Sequence, residues 1–187
     1  RSEDVPLPAV TGDDAYGVEL AVRHLRELGH TAIAHVAGPG DMSTGVQRAR
    51  SFRQAVSELG AAGSADLVVE CATYSIDEGA RATHELLGRA SVTAIVAGND
   101  QIAVGAIEAL RARGLECPRD VSVVGFNDMP FVDKLSPPLT TVRVPHADVG
   151  AEAARLLVRW MAEGVAATTT TTLPVELVVR GSTAPLA

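Results

Sequence analysis

Long apolar runs are missing from this chain. No uninterrupted apolar stretch approaches the roughly 20 residues that a membrane span needs, and Arg1-Ser2-Glu3-Asp4 carries no basic and apolar leader of the secretory type. Neither export nor membrane insertion is expected, and a cytoplasmic location is. Basic charge is scarce as well: 16 Lys and Arg stand against 23 Asp and Glu, a net charge of −7. Such a field repels a polyphosphate, so this segment itself is not expected to touch DNA. Cysteine is limited to Cys71 and Cys117, with no second Cys or His at ligand spacing beside either. That spacing fits a reducing compartment, offers no metal site, and leaves both thiols as structural residues.

The short motifs of common enzymes are also absent. There is no Gly-x-x-x-x-Gly-Lys-Ser/Thr loop, no Gly-x-Ser-x-Gly elbow and no His-Glu-x-x-His, and Gly38-Pro39-Gly40 lacks the third glycine of a dinucleotide fingerprint. No cofactor is expected. The histidines are scattered without an i, i+4 pair; His24 and His84 read as helix-surface residues and His30 as a turn residue.

What is present is a chain of 187 residues, 47% hydrophobic and 21% charged, enough for one sizeable core or two small ones. Segments with apolar residues at helical spacing alternate with short β-branched runs. Helices are expected near 14–28, 43–59, 76–87, 99–113 and 147–161, several of them stopped by glycine at Gly29, Gly60 and Gly114. The second should bury Val46, Ala49, Phe52, Val56 and Leu59. Strands are expected at 32–37, 67–69, 93–97, 121–126 and 140–142. A threonine run from Thr168 to Thr172 should continue as strand to Val179, with a break at Pro174. The strand runs are almost continuously apolar, as in a parallel sheet covered on both faces, so the fold class is α/β, doubly wound.

In such sheets ligands sit beyond the carboxyl ends of the strands. The first polar or aromatic residues there are Ser43, Thr44 and Arg48; then Thr73 and Tyr74; then Asn99 and Asp100; then Asn127 and Asp128. A guanidinium fork and two carboxamides can bond paired hydroxyls while a ring covers an apolar sugar face, and the set holds no nucleophile and general-base couple. Each residue also has a plainer explanation. Arg48 has the default of a solvated helix arginine, Tyr74 can staple a helix, Asn99 is a natural N-cap, and Asn127 and Asp128 can hold a turn.

Several segments together resemble the effector-binding core of the LacI/GalR family of bacterial transcription regulators. They are Asp13-Asp14-Ala15-Tyr16-Gly17, Leu28-Gly29-His30, Val36-Ala37-Gly38-Pro39, Arg48-Ala49-Arg50-Ser51-Phe52, Gly98-Asn99-Asp100-Gln101, Gly125-Phe126-Asn127-Asp128 and, most diagnostic, Leu135-Ser136-Pro137-Pro138-Leu139-Thr140-Thr141-Val142. The resemblance implies a two-lobed, periplasmic-binding-protein-like module that takes a sugar-like effector between its lobes. It also implies that the helix-turn-helix DNA-binding part and most of the first lobe lie outside this chain. On that pattern residues 14–142 are a complete C-terminal lobe, 1–13 and 143–175 are pieces of the N-terminal lobe, and 176–187 are a return strand and tail.

Position by position, the resemblance makes Thr44, Arg48, Tyr74 and Asn99 ligand contacts. Asn127 stands where several family members carry aspartate, which exchanges an anionic acceptor for an amide that also donates. The family pairs its C-terminal lobes, here through the outer side of the 99–113 helix and the apolar Met129, Phe131, Val132 and Leu135. DNA contact would belong to the absent helix-turn-helix alone. The alternatives are a periplasmic-type sugar receptor and an α/β enzyme using the Asp100 and Asp128 carboxylates.

Overall fold

The structure, a computed structural model, describes residues 7–163 and 169–186. Thr168 and the first residues of the 1–13 fragment therefore lie outside the described residues. In chain order the elements are β1 (Ala9–Gly12), α1 (Asp14–Glu27), β2 (Ile33–Ala37), α2 (Ser43–Glu58), β3 (Val68–Glu70), α3 (Ile76–Arg89) and β4 (Ala94–Ala97). They continue with α4 (Asp100–Ala112), β5 (Ser122–Asn127), β6 (Thr140–Arg143), α5 (His146–Glu163), β7 (Thr170–Leu173) and β8 (Glu176–Val178).

Local chemistry sets the helix ends. Asp13 caps α1 by accepting from the Tyr16 amide at 3.0 Å, Ser75 caps α3, and Asn99 caps α4. Gly29, Gly60 and Gly114 follow α1, α2 and α4 at positive φ, the conformation that ends a helix and that a side chain resists.

The main sheet has six strands in the order β3-β2-β4-β5-β6-β8, parallel except for β8, which returns antiparallel along β6. The order reverses between β2 and β4, so a switch point with its crevice opens beyond their carboxyl ends. Alternate strand residues point to opposite faces. Ile33, Ala94, Val96, Val124, Phe126 and Val142 meet α1 and α2 through Val18, Val22, Leu25, Phe52 and Val56. Ala34, Val36, Ile95 and Val123 meet α3 and α4 through Ala82, Leu86, Ile102, Ile107 and Leu110. Helices therefore cover both faces, as continuous apolar strands require.

The break at Pro174 separates two strands that belong to different sheets. β7 pairs in parallel with β1 as a two-stranded sheet, next to α5, whereas β8 joins the main sheet. Much of α5 is exposed, including Leu157, Val158 and Met161, and a groove of about 150 Å³ runs between it and β1, lined by Leu7, Pro8, Val10, Leu156, Leu157 and Trp160.

Three expectations are corrected. Val46 is 50% exposed, and Gly45 and Arg48 are buried in its place. α2 starts so close to the preceding turn that a Cβ on residue 45 would lie 2.1 Å from the Pro39 carbonyl, which turns the Gly45 side inward. His30 is buried rather than a surface turn residue, because the tail returns over it: its ring nitrogens bond Thr93 Oγ1 and the Ala184 carbonyl, both at 3.0 Å. Val132 is fully buried in its own core and Leu135 packs partly on it, so only Met129 and Phe131 of that apolar segment face outward.

Two buried side-chain polar atoms, His35 Nε2 and Thr83 Oγ1, have no partner among the described residues. His35, on β2, donates from Nδ1 to the Val96 carbonyl at 2.8 Å and stacks on Phe52. Burial pushes its pKa down to about 4, so the folded protein holds the neutral ring. The unfolded chain binds the proton near pH 6.5, and stability must fall as pH drops through that window toward 4. The loss attributable to His35 is on the order of 3 kcal/mol. Urea unfolding between pH 7 and pH 4 should show it, with a shallower slope in His35→Gln, which keeps a donor for Val96. An unchanged slope would exclude His35 as its source.

Candidate ligand-binding site

The switch point between β2 and β4 is built on close backbone contact. Gly98, just after β4, donates its amide to the Val36 carbonyl, and a Cβ on it would stand 2.6 Å from the Gly38 nitrogen after β2. This lack of side chains leaves an opening that α2 fills with one residue. Arg48, buried on the first turns of α2, donates from Nη1 to the Gly98 carbonyl at 2.7 Å and from Nε and Nη2 to Asp14 Oδ1 at 3.0 and 2.8 Å. Its Cζ stands 3.7 Å from the centre of the Phe126 ring at the end of β5, a cation–π contact. Three of the five guanidinium N–H groups are committed this way.

The other four expected residues surround this centre. Thr44, in the first turn of α2, bonds the Tyr74 hydroxyl at 3.0 Å. The Tyr74 ring covers Gly38, where a Cβ would be 2.3 Å from it. Asn99 lies directly after Gly98; its Oδ1 accepts from the Ile102 amide at 2.8 Å, which leaves the amide N–H groups of its side chain. Asn127 ends β5, next to Phe126, half-buried and at φ 113°, and its carboxamide makes no hydrogen bond among the described residues. The fold thus brings all five residues to one edge of four neighbouring strands. Thr44 and Tyr74 form one touching pair, and Arg48, Asn99 and Asn127 are grouped around the ends of β4 and β5.

Three residues of the arrangement take roles that the sequence did not give them. Asp13 and Asp14 could each cap α1 on sequence alone; Asp13 does so, and Asp14 is buried against Arg48. The doubled acid was the available signal, since one cap needs only one carboxylate. Phe126 looked like an ordinary strand residue and is the platform under the guanidinium. Asp100 is wholly buried and accepts from the Met129 amide at 2.8 Å and the Thr141 hydroxyl at 2.6 Å.

As a reaction centre the edge is poorly equipped. Burial raises the Asp100 pKa, against the hydrogen bonds that lower it, and Asp128 is engaged by Arg143 and Arg180 at 2.6 and 2.7 Å. Burial pushes the Cys71 and Cys117 thiols up to about 12, so both stay protonated and unreactive near neutrality. No cluster of three or more His, Cys, Asp or Glu residues able to hold a metal ion occurs among the described residues. No helix among them is long and apolar enough to cross a membrane.

A doubly wound sheet with hydrogen-bond donors and a ring gathered at its switch point defines a ligand-binding module of the periplasmic-binding-protein class. Residues 22–183 match the family described as periplasmic binding protein-like domain, and the chain belongs to that family, in the form found in LacI-type regulators. Among its relatives, the HTH-type transcriptional regulator DegA of Bacillus subtilis is 39% identical over 182 residues, 97% of this chain and 54% of that protein. A transcriptional regulator CelR–cellobiose complex superposes with a TM-score of 0.89 at 36% identity, covering 95% of this chain and 54% of the other. A LacI family transcriptional regulator from Mycobacterium smegmatis does so with a TM-score of 0.90 at 32% identity, covering 99% and 68%. The chain spans about half the length of the curated relatives it matches.

The buried ion pair can be tested apart from any ligand. Arg48→Ala strands the Asp14 carboxylate in an apolar setting and should cost about 3 kcal/mol in urea unfolding. Replacing both charges, as Arg48→Met with Asp14→Leu, should recover most of that loss. A double variant no more stable than Arg48→Ala would show that the pair is not what the rim rests on.

Proposed function

We propose that this chain is the effector-sensing part of a LacI/GalR-type transcription regulator, and that it takes a small carbohydrate-like molecule non-covalently at the carboxyl edge of its six-stranded sheet. The observation that carries this reading is Arg48: a guanidinium fixed at the switch point, beside two carboxamides. Asp14 balances its charge, so the edge offers donors without a net positive field and suits a neutral polyol better than an anion. Tyr74 supplies a ring for an apolar sugar face. The cellobiose held by the related CelR structure agrees in chemistry with such an edge.

In this reading residues 14–142 form one lobe, and the ligand is closed over by a second lobe to which residues 1–13 and 143–175 contribute strands and α5. Residues 176–187 return to the first lobe. Closure changes the population of two states, each with its own ligand affinity, and so alters DNA binding by a helix-turn-helix outside this chain. The whole regulator acts in the cytoplasm as a homodimer. It pairs through the outer side of α4, where Val104, Ile107, Arg111, Leu135 and Pro137 line a shallow cleft, together with exposed Met129 and Phe131. An enzymatic reading finds no support in Asp100 or Asp128, both committed to structural bonds.

The test is a thermal-shift panel of cellobiose, ribose, glucose, galactose and maltose on the full-length protein, followed by calorimetry on this chain alone. One sugar should raise the melting temperature of the full-length protein and bind the isolated chain far more weakly, since contacts and water exclusion from the second lobe are gone. Equal affinity in both would rule out the two-lobe arrangement, and no response to any sugar would rule out the carbohydrate reading.

A further inference from the structure

The geometry points to Asp100 as the positioning residue for ligand recognition: its buried carboxylate fixes the turn that carries Asn127 and so sets that carboxamide in register with Asn99. This inference rests on the ligand site proposed above and adds a residue to it that never touches the ligand.

Asn127 and Asp128 are consecutive residues at positive φ, 113° and 59°, a conformation that non-glycine residues keep only where their surroundings impose it. Asp100 imposes it. Its Oδ2 accepts from the amide of Met129, immediately after the pair. The carboxylate thus ties down the strained dipeptide at its carboxyl end. Its other oxygen is anchored to Thr141 Oγ1 on β6 at 2.6 Å, and both residues are fully buried. Space for the carboxylate is reserved by Gly125, where a Cβ would stand 2.4 Å from Asp100 Oδ1.

Asp100 also opens α4 directly after Asn99, which caps that helix. One side chain therefore joins the turn carrying the first carboxamide to the turn carrying the second. The bonds are all made to the acceptor oxygens of Asp100, so what the site needs from it is acceptance of a backbone N–H together with an anchor on Thr141. An asparagine can supply both, since its carboxamide oxygen accepts from Met129 and its NH₂ donates to a rotated Thr141 hydroxyl. An alanine supplies neither.

The experiment is a double-mutant cycle in the full-length protein, using whichever sugar of the panel named above binds most tightly. Asp100→Ala should weaken binding at least about tenfold in the parent but less than about threefold when Asn127 is already alanine, and Asp100→Asn should restore most of the affinity. Without any sugar, hydrogen exchange at the Met129 amide should quicken at least about tenfold in Asp100→Ala while the middle of α4 is unchanged. Equal losses in both backgrounds, failure of asparagine to rescue, or unchanged exchange at Met129 would each overturn the proposal. If Asp100→Ala does not fold, Thr141→Val, which cuts the anchor alone, decides the same cycle. A parent protein that binds none of the sugars would instead overturn the site reading, a result the exchange measurement does not depend on.

Discussion

A buried guanidinium can be kept only where every surrounding group answers it, and the edge of this sheet is organised by that demand. Arg48 comes from α2, its carboxylate partner from the first residue of α1, its carbonyl partner from the turn after β4, and its aromatic platform from the end of β5. Four elements are thereby set relative to one another by one side chain. The glycines beside it answer separate close approaches: a Cβ at 98 would press on the Gly38 backbone, and one at 38 on the Tyr74 ring. The shape of the ligand edge is a consequence of this packing, and the ligand contacts proposed for it inherit its precision.

The acids of the edge have been assigned to separate tasks. Asp13 caps a helix, Asp14 neutralises Arg48, Asp100 accepts from the Met129 amide and Thr141, and Asp128 receives Arg143 and Arg180. With these four carboxylates occupied, the groups left around the ends of β4 and β5 are chiefly the carboxamides of Asn99 and Asn127 beside the Arg48 guanidinium. An edge of that kind can discriminate among hydroxyl patterns without the paired acid and base that bond-making would need.

Stability is distributed unevenly. The six-stranded sheet is sealed by helices on both faces, while the β1–β7 pair and α5 leave apolar side chains such as Leu157, Val158 and Met161 in solvent. A two-stranded sheet with one helix cannot bury enough surface to persist on its own account. The part of the molecule that would join a second lobe is thus the part that most needs one.

The fold was largely legible in the sequence because its signals are local. Helices ended at glycines that adopt positive φ, a cap fell at Asn99, and unbroken β-branched runs became strands buried on both faces. The position of Thr44, Arg48, Tyr74, Asn99 and Asn127 at one strand edge was legible for the same reason, since a parallel sheet places every strand end on one side. Their partners were not. Whether Asp13 or Asp14 served as the cap, that Phe126 would carry a cation, that Asp100 would reach across to Met129 and Thr141, and that Val46 would yield its buried place to Gly45 were settled only when distant segments met. Periodicity tells which way a residue faces along its own element. Hydrogen bonds and close contacts between elements depend on distances of a few tenths of an ångström across residues far apart in the chain, and those are properties of the assembled tertiary structure alone.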